Sequence, residues 1–349
     1  MKTYIQIFFI LIIFFKTETL LSENNLFNVN NINLEKNDKS TNSLLANKGI
    51  KKGFEQLINK ILLKEDVNKF SDLNFSSIKK LVSFYQITNM PDEGKNEEYV
   101  NFSVTFDKEK IHNLFYKRGI SYSEIADKEF YILPILIKKN EIYIFNNNYF
   151  YENWNDKEDK DDLIEFILPL ENIEIIQNIN KTKNNLLDLQ TDDLLKEYLN
   201  KNKALVFIED SDISNKKVYF KTTIQGKKIS KGINFKKQNL KTEELYRKII
   251  VSSKDEIINL VKSENLIDIR TPSFLKIKLI LNKKTSLVDF NTKINQIDLI
   301  ENVFVQDFNK NYINIRIKYL GKLDKILKLI KDKNINLQLI NDQWIIQKL

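Results

Sequence analysis

The sequence predicts an α+β protein made of three small α/β-type units in tandem, the last a βαββαβ ferredoxin-like domain. Three stretches carry that prediction. Tyr99, Asn101, Ser103 and Thr105 alternate with Val100, Phe102, Val104 and Phe106, the period of a half-buried strand. Ile111, Leu114 and Phe115 follow at helical spacing. Asp107 stands at the N-cap position and Gly119 just past the end. Residues 130–137, FYILPILI, are continuously apolar, as a strand buried on both faces requires, and open a second unit. From Phe274 onward, strand and helix patterns follow the order of a split βαβ fold.

Taken in order, residues 1–22 read as a signal peptide, with an uncleaved N-terminal anchor as the alternative. Lys2 precedes an apolar run from Tyr4 to Phe15 broken only by Gln6, short for a span of about 20 residues. The body is expected to be exported and periplasmic. Residues 23–126 form an N-terminal α/β unit. It has a strand around Phe27, Val29 and Ile32, and a helix over 40–63 with one apolar stripe. A short helical turn, a strand over 82–88 and a loop with Pro91 and Gly94 lead back to Tyr99. Residues 127–265 form the middle unit. Its strands are placed at 130–137, 141–146 and 204–209, with a hairpin of 217–225 and 228–235 around Gly226. Helices are expected at 192–200 and 243–264, the latter with a break at Val251, Ser252 and Ser253.

Residues 266–349 form the third unit. Strands are expected at 274–281, 303–308 and 312–319, helices at 287–297 and 323–333, and one or two short strands over 337–346. Leu287, Phe290 and Ile294 should meet Leu323, Ile326, Leu327 and Ile330. Ile315 and Ile317 should point inward, Arg316 and Lys318 outward.

Composition excludes several function classes. The chain has 7 Gly, and the pairs Gly49/Gly53 and Gly226/Gly232 match neither phosphate-loop spacing. With 0 Cys there is no disulfide, no thiolate chemistry and no Cys-ligated zinc. The net charge of +8 accompanies a surplus of Lys, Asn and Ile that an AT-rich genome produces, so it is not read as a nucleic-acid site. His112, the 1 histidine, is read as a surface residue without the partners of a triad or a zinc site. The acidic run at 156–162 lacks the Gly and Glu positions of an EF-hand and is read as a solvated loop. No catalytic residue, cofactor or metal ligand is expected.

Two clusters remain as candidate interaction sites. Tyr149, Phe150, Tyr151 and Trp154 either form a carbohydrate or partner platform or cap a domain core. Residues 216–241 hold many lysines and no acid, among them Lys227, Lys228 and Lys231. They suit contact with anionic lipid or cell-wall polymer, or simply guard an edge hairpin against aggregation.

A series of motifs also resembles a known family. NKGIKKGFEQLINKIL (47–62), YVNFSVTFDKEKIHNLFYKRGI (99–120), FYILPILI (130–137), YFYENW (149–154), ILPLENIEII (167–176), RIKYLGKLDKILKLI (316–330) and Trp344 occur in this order. The series resembles a proteobacterial family of exported proteins known only as a domain of unknown function. Lys, Asn and Ile stand here where that family has Arg, Gly and Ala, and the second Trp near Asn153 is missing. The resemblance implies an envelope location and no catalytic residues. The middle part is similar to the N-terminal α/β domain of TolB, and the three-part layout resembles the flagellar H-ring assembly protein, both fold-level analogies. The resulting expectation is a non-catalytic cell-envelope protein, a docking or assembly factor whose partners are envelope proteins, not nucleic acid. The alternatives are an anionic-surface binder through residues 216–241 and a hydrolase with paired carboxylates.

Overall fold

In the computed structural model, strand β1 (Asn28–Glu35), helix α1 (Asn42–Ile61), helix α2 (Phe75–Lys80), strands β2 (Val82–Asn89) and β3 (Tyr99–Phe106) and helix α3 (Lys108–Arg118) make the first part of an α+β fold. The structure describes residues 26–36, 41–89, 99–125, 128–156, 163–211, 215–236, 241–281, 286–341 and 343–346. The expected signal segment, residues 157–162 and Lys237 lie outside these. Strand β3 is central and antiparallel to both β1 and β2. Asn31, with φ 59°, makes a bulge in β1. The extra residue lets Val29 and Ile32, which simple alternation would place on opposite faces, both turn inward. Thr41 caps α1 by accepting from the Leu44 N–H. Asp107 caps α3 by accepting from the Lys110 N–H, and Gly119 closes that helix at φ 63°.

Gly49 and Gly53 have a packing role. They lie one turn apart on the face of α1 that meets the sheet. A Cβ on Gly49 would lie 2.5 Å from the Phe102 ring, and one on Gly53 2.4 Å from Val104 Cγ1. The helix backbone therefore rests directly on β3.

The middle unit, Ser123–Leu266, is a mixed sheet covered on both faces. Its strands are β4 (Glu129–Lys138), β5 (Glu141–Tyr143), β6 (Glu165–Ile167), β7 (Asn202–Glu209), β8 (Asn215–Ile224) and β9 (Lys227–Lys236). The order is β9-β8-β7-β4-β5, with β6 also paired to β4. Strands β4 and β7 run parallel, and both are apolar almost throughout because both faces are buried. Helix α4 (Tyr149–Asn153) and the long α7 (Thr242–Glu264) supply one core; α5 (Ile173–Lys181) and the short α6 (Thr191–Leu194) supply the other. Helix α7 runs unbroken through Val251, Ser252 and Ser253, since Ile249, Ile250, Ile257 and Ile258 on either side pack into one core. The expected helix over 192–200 is instead α6 followed by a 3₁₀ turn at Lys196–Tyr198.

The last segment contains β10 (Ser273–Ile280), α8 (Leu287–Ile294), β11 (Ile300–Phe308), β12 (Tyr312–Tyr319), α9 (Leu323–Asp332), β13 (Leu337–Ile340) and β14 (Gln343–Ile346). Phe290, Ile294, Ile315, Ile317, Ile326 and Ile330 are fully buried, as the alternation requires. Leu287 and Leu327 pack against them half-buried, whereas Leu323 stays exposed. The close of the fold departs from four strands. Asn341, at φ 49°, turns β13 into β14. The terminal strand then inserts between β13 and β10, parallel to β10, giving the order β11-β12-β10-β14-β13.

Three units in tandem were expected; contacts divide the chain into two. Residues up to Tyr122 and from Ile267 belong to one unit, into which the middle unit is inserted. The first and last segments share one hydrophobic cluster. The Lys108 ammonium donates to the Asp298 carbonyl, and a Cβ on Gly119 would lie 3.7 Å from Arg270. The two segments also have the same topology. In each, a strand, a helix and a second strand are followed by a third strand that inserts between the first two.

Candidate docking site

Of the two readings of the aromatic cluster, the cap of a domain core is the one the structure has. Phe150 and Trp154 are fully buried, and Tyr149 packs its ring 5.2 Å from that of Tyr246. The reason lies one residue upstream. Asn148 is buried, donates through Nδ2 to the carbonyls of Pro134, Tyr143 and Ile144, and accepts from the N–H groups of Phe150 and Tyr151. This knot ties α4 to β4 and turns its aromatics inward. Tyr151 donates its hydroxyl to the Pro169 carbonyl at 2.7 Å.

Four lysines of the hairpin pair with carboxylates from elsewhere in the chain. Lys227 pairs with Glu264 at 2.6 Å, Lys228 with Asp192 at 3.4 Å, and Lys231 with Glu256. Lys216 is itself buried against Asp210, which also accepts from the Tyr246 hydroxyl. Burial, then that carboxylate, push the Tyr246 hydroxyl far above its usual value. The hairpin is closed by Gln225 and Gly226, both at positive φ, as a two-residue turn requires. Strand β9 is thus a charged, ion-paired sheet edge.

His112 is half-buried, not on the surface as expected. Its ring lies 5.5 Å from Phe27 and 5.2 Å from Tyr122, residues its own helix does not supply. Desolvation first, then the nearby Lys108 charge, lower its pKa to about 4, against a smaller opposing pull from Glu301. Among the described residues its Nε2 has no hydrogen-bond partner, so the residue packs as a neutral ring. Among the described residues, no group of three or more His, Asp or Glu side chains could hold a metal.

Sheet edges are where these units meet solvent with unpaired backbone groups, and folded proteins guard them with charge, proline, bulges or brevity. Strand β9 has lysines. Strand β11 has two bulges and carries Glu301 and Asp307. Strand β1 has its Asn31 bulge, and Lys52 donates to the Asn33 carbonyl. Strands β5, β6 and β13 are short. Strand β2, VSFYQITN, has neither charge nor proline, and its one irregularity lies at its start, between Val82 and Phe84. Phe84 is 61% exposed and Tyr85 45%. Beside β2 runs a groove of about 410 Å³, lined by Ala46 and Ile50 of α1 and by Tyr85 and Ile87 of β2, with Asn42, Ser43, Asn47 and Lys79 completing its lining. Tyr85 is held there by stacking on Phe102, ring centroids 5.7 Å apart. An open edge beside a partly apolar groove is what strand addition needs. The edge supplies backbone hydrogen bonds, and the groove receives alternate side chains.

Sequence reasoning placed β2 but did not single it out as a site. The available signal was the uncharged run between Lys80 and Asp92. No protein-family model, curated protein or solved structure matches this chain.

Proposed function

We propose that this chain is a non-catalytic docking protein of the cell envelope that binds an extended segment of another protein along strand β2. One observation carries the reading: among the described sheet edges, β2 alone is long and without charge or proline, is bulged only at its start, and leaves Phe84 and Tyr85 exposed. Docked this way, the partner segment lies antiparallel or parallel to β2 and places apolar side chains, at every second position, between Ala46, Ile50 and Ile87. The envelope location rests on Lys2 and the apolar run from Tyr4 to Phe15. The ion pairs of Lys227, Lys228 and Lys231 weigh against the alternative of an anionic-surface binder.

Two experiments test this reading. Short peptides alternating apolar and polar residues are selected against the full chain, and their affinity is measured by calorimetry. Tyr85→Lys should weaken binding at least tenfold without loss of fold, whereas Lys228→Thr should leave it unchanged. Equal affinity for the Tyr85→Lys protein, or no selectable peptide, would overturn the docking site. Residues 1–30 fused to a reporter active only outside the cytoplasm should give signal, and silence would overturn the location.

A further inference from the structure

The outer face of the last sheet is a second surface, separate from the edge of β2 and independent of its role. Leu275, Ile277, Ile315 and Ile317 point into the core, so their neighbours along β10 and β12 point the other way. The register sets Lys276 opposite Arg316, and Arg316 opposite Phe304 of β11. Residues so paired share a face. Phe274 and Lys278 stand two positions to either side of Lys276, and Tyr312 closes the same row of β12. Three cations and three aromatic rings therefore interleave on one sheet face. The Arg316 guanidinium carbon lies 3.7 Å from the centre of the Phe274 ring, and the Lys278 ammonium 4.1 Å from that of Tyr312. Carboxylates of β11 are taken by other residues: Glu301 pairs with Lys318 at 2.7 Å, and Asp307 accepts from the Asn314 amide at 2.9 Å. Lys276, Lys278 and Arg316 form no ion pair among the described residues, and Arg316 Nε has no hydrogen-bond partner there. Phe274 is 45% exposed and Phe304 46%.

We propose that this face binds single-stranded nucleic acid. Charge complementarity calls for an anionic ligand, and exposed rings between the charges call for flat apolar groups along it. A single strand supplies both, a phosphate and an unstacked base at each step. Lys276 and Lys278 lie about 7 Å apart along β10, so each meets one of two neighbouring phosphates. Phe304 and Phe274 offer ring faces and edges to the bases, with the Arg316 guanidinium held between them as a further planar surface. A duplex keeps its base faces stacked inside, and a five-stranded sheet is too broad for its grooves. A polyanion without bases would meet the cations and leave the rings in water. Composition alone does not point to this face, because lysines are spread along the whole chain. What sets it apart is the placement of unpaired cations among exposed rings.

The test titrates the full chain into a fluorescein-labelled oligothymidylate of about 8 nucleotides, read by anisotropy at several salt concentrations. Binding should saturate and weaken with salt. Lys276→Gln with Lys278→Gln should weaken it at least tenfold and flatten its salt dependence. Lys227→Gln with Lys228→Gln removes the same charge from β9 and should leave it nearly unchanged. Phe304→Leu keeps an apolar side chain at an exposed position. It should weaken oligothymidylate binding at least threefold while inorganic polyphosphate binds as it does to the parent chain. Three results would overturn the proposal: no saturable binding, equal loss in the two double variants, or undiminished oligothymidylate affinity in Phe304→Leu. The last would mean that the face takes any polyanion and does not read bases.

Discussion

Strand β9 carries Lys227, Lys228, Lys231 and Lys236 along one sheet edge, and strand β2 carries Phe84, Tyr85 and Ile87 along another. The two are of similar length and both lie at the end of an antiparallel pair. Their difference is chemical. An approaching strand would have to desolvate ammonium groups and break their pairs with Asp192, Glu256 and Glu264 to reach β9. At β2 it meets strand side chains that carry no charge and a groove in which Ala46, Ile50, Tyr85 and Ile87 stand with Asn42, Ser43, Asn47 and Lys79. The lysine-rich stretch looks like the site in one dimension, and the plain stretch is the candidate in three. Charge in a sequence marks what is kept apart from other chains as often as what is brought to them.

The comparison can be broken most severely at the support of β2. Gly49→Leu forces a side chain into the Phe102 ring, which is fully buried and cannot retreat. The expected loss is about 3 kcal/mol, the upper end of overpacking costs, measured by denaturant titration. The middle unit should keep its own transition unchanged.

Acid should separate the two units next. The folded His112 pKa of about 4 lies below the unfolded value of 6.5. Between these values the unfolded chain binds the proton and the folded chain does not, so stability falls as pH drops from 6.5 toward 4. The loss should be about 2 kcal/mol, allowing for partial exposure of the ring. It should fall on the unit holding His112 alone, because the chain has no other histidine. His112→Gln should flatten this limb of the pH profile, and an unchanged profile would contradict the buried neutral ring.

Smallest in stability, but sharpest for the edges, is removal of the lysine guard. Lys228→Thr with Lys231→Thr deletes two exposed pairs, and the expected change is within about 1 kcal/mol. Self-association measured by sedimentation should nevertheless rise, because β9 then resembles β2. No rise would mean that the lysines do not guard it.

Local features of the fold were legible in the sequence. The alternation of β3, the Asp107 and Gly119 caps, the hairpin at Gly226 and the inward set Ile315 and Ile317 depend on neighbours within a few residues. What could not be read depends on distant partners. The burial of Trp154 is fixed through Asn148 and the Pro134 carbonyl, and His112 is covered by Phe27. The acids facing the lysine hairpin come from α6 and α7. The joining of first and last segments across a whole inserted unit leaves no periodicity to detect. The candidate site was least legible, because which strands become edges is set by long-range pairing, and an edge without charge or proline stands out only beside the other edges.

Hydrogen exchange of the full chain with a selected extended peptide tests the central claim most directly. Strand addition predicts that amides of Val82–Asn89 become strongly protected while those of Lys227–Lys236 exchange at their free rates. Protection confined to Lys227–Lys236, or saturating binding that leaves Val82–Asn89 unprotected, would contradict it.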